Sequence, residues 1–331
     1  MKKSIWIPGL ILLILAIGYF SGPVPKEPTY SYDLPELPSD IKKLESYIDK
    51  QEQAKPVRED NEARIMWFQE KPVKTEFSIV YLHGFAGSYM DGYPVNKIVA
   101  DTLKANLYLS RWAGHGLRAP HSLNSFSPEE AWESAKEALM IGNRIGEKTI
   151  ILSTSTGGTL ATKLAAAYPD MVHALINLSP NFEDDQPGTF VLNSPWGYDI
   201  ARIVSFGENK KIDHEQEIAT QYWDTIYPSR ALVDLQLLVD STMRPAVFEK
   251  VECPVLTLYY HENFLEEDQH VEVSVYDEYH RQFSTPDSLN VLKALDTPGT
   301  HFIGSDIKSK DTEVVVKAIV QFLSERMNIE L

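Results

Sequence analysis

The chain reads as an α/β protein: a mostly parallel central sheet covered by helices on both faces, with a helical cap inserted in its later half. Three observations predict this. From about residue 75 onward, apolar runs of strand length alternate with helical stretches, the pattern of strands buried on both faces. Ile150-Ile151-Leu152-Ser153-Thr154-Ser155-Thr156-Gly157-Gly158 carries an apolar strand directly into a turn of small residues, which places Ser155 on a sharp strand-to-helix elbow. Residues 180–252, rich in Trp and Tyr at Trp196, Tyr198, Trp223 and Tyr227, break the alternation; with no clear core strand they are too long for a simple connection and read as the cap.

The elements follow in order. Asp40–Gln53 is helical, with Ile41, Leu44, Tyr47 and Ile48 on one side, and 63–68 and 75–81 are strands. The second strand ends in His83-Gly84-Phe85-Ala86-Gly87-Ser88. A helix near 95–103 and a strand over 106–110 lead into Arg111-Trp112-Ala113-Gly114-His115-Gly116. Ser127-Pro128-Glu129-Glu130 supplies a capping serine, proline at the first helical position and glutamate at the third, which fixes the start of a helix running to about Ile141. Strand 149–152, the elbow and the helix 160–168, stopped by Pro169, come next. Later elements are strands at 173–178, 255–260 and 291–296, helical patches at 215–222 and 231–241, and a final helix over 312–327.

The N-terminus has its own character. Met1-Lys2-Lys3 precedes an uncharged run of 16 residues, Ile5 to Phe20, which as a helix spans about 24 Å. Cations before such a run predict an export signal. The expectation is a single-pass membrane anchor (1–22) with the remainder outside the cytoplasm. The alternatives are a secreted or periplasmic product after signal cleavage, and a buried N-terminal helix. Five prolines between Pro23 and Pro38 read as an extended tether, leaving residues 39–331 as the catalytic domain.

Of 331 residues, 47 are acidic and 31 are Lys or Arg, giving a net charge of −16. That balance excludes a nucleic-acid groove. The only cysteine, Cys253, excludes an internal disulfide and is expected to be a buried small hydrophobe. The remaining histidines show no metal-ligand spacing, and Gly157-Gly158 belongs to no phosphate-binding loop. Neither a metal nor a cofactor is expected.

A serine hydroxyl is a weak nucleophile until a base takes its proton. His301, set among small residues in Thr297-Pro298-Gly299-Thr300-His301 after the last strand, is the candidate base for Ser155. The imidazole needs a carboxylate to fix its tautomer, and the acidic stretch after strand 255–260 offers Asp268 first, then Glu267 and Glu266. An oxyanion requires aimed donors: Thr156 N–H at the helix start and Phe85 N–H after His83-Gly84. His83 and His115 are expected to shape their loops.

Four segments, Tyr81–Ser88, Arg111–Gly116, the elbow and Gly299-Thr300-His301, make the chain resemble the α/β-hydrolase family, in its serine aminopeptidase, lysophospholipase and monoacylglycerol lipase-like group, over about Thr75 to Phe322. The resemblance implies an α/β-hydrolase fold with Ser155 as nucleophile, Asp268 as acid, His301 as base, and Phe85 with Thr156 as oxyanion donors. Its expected activity is hydrolysis of carboxylic esters through an acyl-enzyme, on a small apolar acyl ester such as a monoacylglycerol or lysophospholipid. A serine peptidase and a non-catalytic envelope binding protein on the same scaffold are the alternatives. Haloalkane or epoxide chemistry would place a carboxylate where Ser155 stands. Two features depart from the pattern: Ser153 replaces a glycine, and the acid loop is long and lacks the glycine after its strand.

Overall fold

The structure is a computed structural model, and it describes residues 6–70, 72–185 and 188–331. Among the described residues ten strands are formed: β1 (Arg64–Met66), β2 (Thr75–Leu82), β3 (Asn106–Leu109), β4 (Gly146–Thr154), β5 (Ala174–Leu178), β6 (Asn209–Lys211), β7 (Ile226–Pro228), β8 (Val255–Asn263), β9 (Glu266–Glu267) and β10 (Asn290–Leu295). The helices are α1 (Trp6–Phe20), α2 (Leu44–Gln53), α3 (Val95–Thr102), α4 (Pro128–Ile145), α5 (Thr156–Ala167), α6 (Gly197–Val204), α7 (Ala219–Tyr222), α8 (Arg230–Thr242), α9 (Pro245–Phe248), α10 (Tyr276–His280) and α11 (Thr312–Gln321).

The main sheet has the order β1-β3-β2-β4-β5-β8-β10. Only β1 on this path is antiparallel; the others are parallel, in register at Ile79↔Ile150, Ile176↔Leu256 and Leu256↔Val291. Alternation of side chains along a strand divides the core in two. Val80, Leu82, Ile151 and Leu175 meet Trp132, Leu139, Leu164 and Leu238 from α4, α5 and α8. Ile79, Tyr81, Ile150 and Ile176 meet Val95, Val99, Val315 and Ile319 from α3 and α11. The result is a mostly parallel sheet flanked by helices on both faces, the α/β-hydrolase architecture.

Local chemistry sets the helix starts. Ser127 Oγ accepts the Glu130 N–H at 3.2 Å, with Pro128 at the first position and Glu129 and Glu130 in the first turn. The helix extends past Ile141 to Ile145 because Ile141 and Ile145 are fully buried. Between β5 and β8 the expected patches shift: the first shrinks to α7, the second becomes α8, and α6 and the antiparallel β6–β7 pair appear as well.

The N-terminal expectation is corrected. No helix among the described residues is long and apolar enough to cross a membrane, so the single-pass anchor and the membrane as a partner are not supported. Trp196 Nε1 donates to the Gly18 and Tyr19 carbonyls at 3.2 and 3.0 Å, and Ser21 Oγ donates to Gly18 O, which closes the helix before Pro23. The cationic start at Met1-Lys2-Lys3 lies outside the described residues.

Residues 29–33 lie along α4 and α5. Trp132 Nε1 donates to Ser31 O at 2.6 Å, Lys136 Nζ to Ser31 O and Asp33 O at 3.0 and 2.6 Å, and Tyr168 OH to Tyr32 O at 2.8 Å.

A close backbone contact is made at Gly157, where a Cβ would collide with the carbonyl oxygen of Leu82 and approach that of His83 to 2.7 Å. Both obstacles are backbone. Gly157→Ala should therefore lower stability by on the order of 3 kcal/mol, read as a drop in the urea midpoint; an unchanged midpoint would show that the α5–β2 contact is looser than described.

Candidate active site

Parallel strands deliver their following loops to one edge of the sheet, and this chain uses four of them. Ser155 follows β4, the His83–Ser88 loop follows β2, Asp268 follows β8 and β9, and His301 follows β10. The β4–α5 turn is the sharpest. Ser155 has φ 54° and ψ −123°, a conformation that costs a non-glycine residue on the order of 1–3 kcal/mol. It is held because Ser155 N–H donates to Leu178 O at 3.1 Å and Ser155 O accepts from Gly158 N–H at 2.7 Å and Asn181 N–H at 2.9 Å. Ser153 fits where a glycine was expected because its hydroxyl has a partner, Asn177 Oδ1 at 2.8 Å on the neighbouring strand.

His301 and Asp268 form a buried pair, with Nδ1 to Oδ2 at 2.7 Å and exposures of 3% and 2%. Burial alone would raise the Asp268 carboxyl. The His301 charge and hydrogen bond, with the His270 N–H on Oδ1 at 2.9 Å, instead hold it below the usual carboxylate range. The competing acids face elsewhere: Glu267 pairs with His261 Nδ1 at 2.9 Å and Glu266 sits in the β8–β9 hairpin. That hairpin, with its exposed tip at Phe264 and Leu265, accounts for the length of the acid loop.

Ser155 is 9% exposed, and among the described residues no hydrogen bond joins its hydroxyl to His301. Phe85 N–H and Thr156 N–H have no protein acceptor among the described residues. Thr156 opens α5, so its N–H is one of the unpaired donors at a positive helix end. The edge thus holds a hydroxyl, an imidazole backed by a carboxylate, and two N–H groups without a protein acceptor among the described residues.

The flanking histidines are structural. His83 is fully buried, donates through Nδ1 to Gly84 O at 2.8 Å and accepts from Trp112 N–H at 3.4 Å through Nε2. It stacks on Trp112 at 4.6 Å. Burial lowers its pKa to about 3. His115 is buried beside it at 5.1 Å, its pKa likewise lowered by burial, and the contacts among His83, Trp112 and His115 join the loops after β2 and β3. Sequence reasoning missed His270, whose ring stacks on His301 at 4.8 Å; its place two residues after Asp268 was the available signal. Asp268, His270 and His301 offer ligand atoms within 4.8 Å of one another, but the two imidazoles lie nearly parallel at 18°, so they cannot both point lone pairs at one ion without turning. Cys253 is a free thiol, pushed up to about 12 by burial.

Residues 223–227, between β5 and β8, meet this edge directly. Asp224 N–H donates to Ala86 O at 2.7 Å, Tyr227 packs on Phe85 at 5.4 Å and Trp223 on Phe302 at 5.4 Å. Arg58 Nη2 pairs with Asp224 Oδ1 at 2.9 Å, and burial raises that carboxyl to about 6. A cavity of about 430 Å³ between α2 and α4, lined by Glu52, Lys55, Arg111 and Glu137 among others, includes none of the candidate site residues.

No protein-family model matches this chain, and no curated protein matches it. Solved structures do, and they place it in the α/β-hydrolase fold. A structure described as LipS and LipT, two metagenome-derived lipolytic enzymes, superposes with a TM-score of 0.64 at 15% identity, covering 81% of this chain and 99% of that one. A monoglyceride lipase from Saccharomyces cerevisiae, solved as a soluble variant with a substrate analogue, gives 0.59 at 14% identity over 81% and 92%. A monoacylglycerol lipase from Paleococcus ferrophilus gives 0.57 at 13% identity over 80% and 98%. At such identities the likeness defines the fold.

Because the folded protein keeps His83 neutral to about pH 3 while the unfolded chain protonates it near 6.5, folding refuses a proton that the unfolded state accepts. The contribution is intact above pH 6.5 and is lost as pH falls toward 3. The stability of the native chain relative to a His83→Gln variant should thus shrink by about 3 kcal/mol between pH 6.5 and 4. Urea midpoints of the two proteins across that range provide the check, and a constant difference would show that His83 is not held neutral.

Proposed function

We propose that the protein is a serine hydrolase that cleaves carboxylic esters through an acyl-enzyme. Ser155 attacks the ester carbonyl, His301 takes its proton and returns it to the leaving alcohol, and Asp268 holds the imidazole and supports its cationic form. Phe85 N–H and Thr156 N–H receive the tetrahedral oxyanion. Water then repeats the sequence on the acyl-serine. The observation that carries this reading is the strained Ser155 turn on the same sheet edge as the buried His301–Asp268 pair. The free N–H groups of Phe85 and Thr156 add to it.

The finer reading is an ester with an apolar acyl chain, of the monoacylglycerol or lysophospholipid kind. It is supported by the aromatic groups where the cap meets the site, Phe85, Trp223, Tyr227 and Phe302, and by the presence of monoacylglycerol lipases among structures sharing the fold. Residues 180–252 act as the cap that shapes this pocket.

Ser155→Ala should abolish hydrolysis of short p-nitrophenyl esters and labelling by a fluorophosphonate, with a loss of several orders of magnitude in kcat. Turnover surviving in the purified variant would overturn the assignment. Asp268→Asn should keep the fold yet lower kcat by about 10⁴-fold, since the amide favours the wrong imidazole tautomer; a small effect would move the acid role elsewhere. A series of p-nitrophenyl esters of rising chain length tests the acyl preference.

A further inference from the structure

One buried carboxyl next to the site takes no part in the proton transfers. Asp91, in the turn after the β2 loop, is fully buried, and among the described residues no Lys or Arg pairs with it. A carboxyl taken out of water without a cation is costly unless its hydrogen bonds are satisfied. Its partners are two: Gly84 N–H donates to Oδ2 at 2.6 Å, and the Tyr81 hydroxyl donates to Oδ1. Burial raises the carboxyl to about 7, against the downward pull of those two donors and of the nearby His301 charge.

Both partners lead to the reacting atoms. Gly84 O accepts from His83 Nδ1 at 2.8 Å and from Gly87 N–H at 3.3 Å. Gly84 is therefore held at its N–H by Asp91 and at its carbonyl by the loop. Gly84 O and Phe85 N–H belong to one planar peptide and point in opposite directions, so fixing the carbonyl aims the N–H. The Tyr81 hydroxyl, having given its proton to Asp91, accepts from Thr154 Oγ1 at 2.8 Å. Thr154 is the residue before Ser155. The crowding agrees: a Cβ on Gly84 would lie 3.1 Å from Asp91 Oδ2 and 3.1 Å from Ser155 Cβ, and one on Gly87 would lie 2.7 Å from Asp91 Oδ2.

We propose that Asp91 is a positioning residue for acyl transfer: it ties the Gly84–Phe85 peptide after β2 to the Thr154–Ser155 turn after β4, through Tyr81, and so sets the distance between oxyanion donor and nucleophile. This rests on the serine-hydrolase reading above. An error of about 1 Å in such a distance costs roughly 10²-fold in rate.

The experiment measures p-nitrophenyl butyrate hydrolysis per active site, titrated with a fluorophosphonate, alongside binding of a trifluoromethyl ketone that forms an oxyanionic hemiketal on serine. Asp91→Ala should lower kcat by roughly 10²-fold with KM within about threefold, and weaken the ketone by a similar factor. Asp91→Asn, which keeps an acceptor for Gly84 N–H, should recover most of the loss. A merely structural residue would reduce the number of titratable sites and leave ketone affinity at the remaining ones unchanged. The proposal is overturned if Asp91→Ala keeps kcat per site within twofold, or loses kcat with ketone affinity intact. Should Asp91→Ala fail to fold, Tyr81→Phe decides: a fall of about tenfold in kcat at constant KM supports the link, and no fall removes it. Turnover that survives Ser155→Ala would instead defeat the underlying reading.

Discussion

The candidate site depends on one backbone turn. A strand buried on both faces must stop, reverse and become a helix within a single residue, and the residue that bears the turn carries a side chain. Serine in that conformation is disfavoured relative to glycine by on the order of 1–3 kcal/mol. The fold offsets this with three hydrogen bonds to Ser155 backbone groups and with two glycines that let α5 approach β2 and Pro180. Neither Gly157 nor Gly158 has room for a methyl group. The strain, its compensation and the exposure of a hydroxyl at the sheet edge are thus one feature seen from three sides.

Around that turn the structure is polar but closed. The strand ends are joined by short side-chain links: Ser153 to Asn177, Tyr81 to Thr154, and Asp268 to His301. Each link crosses between adjacent elements of the sheet edge and ties one strand end to the next. Asp224 rests on the same loops through Ala86 O, and Arg58, from the segment before β1, pairs with Asp224. The segment before β1 therefore helps to hold residues 223–227 against the candidate site.

Much of this was legible in the chain. The parallel strands announce themselves because burial on both faces demands unbroken apolar runs, and α4 because Ser127, Pro128 and Glu130 mark its first turn. The elbow was readable for the same reason: few local sequences let a strand turn into a helix at once. What could not be read depends on contacts distant in sequence. The choice among Glu266, Glu267 and Asp268 required knowing that β8 runs on to Asn263 and folds back as a hairpin. The stacking of His270 on His301 and the contact of Asp91 with Gly84 arise from loops that only the tertiary fold brings together. The apolar run at the N-terminus misled because composition gives hydrophobicity but not whether the helix it forms is long and apolar enough to cross a membrane.

The strap formed by residues 29–33 bears on how the chain can be divided. Composition alone suggests cutting after Pro38 and keeping the remainder as a free-standing catalytic unit. Such a fragment would strip the fully buried Lys136 ammonium of both backbone carbonyls that accept from it and lay the Trp132 indole N–H bare. A trimmed version intended for expression should begin before Thr29, since the stretch that looks like spacer is part of the interior's wall.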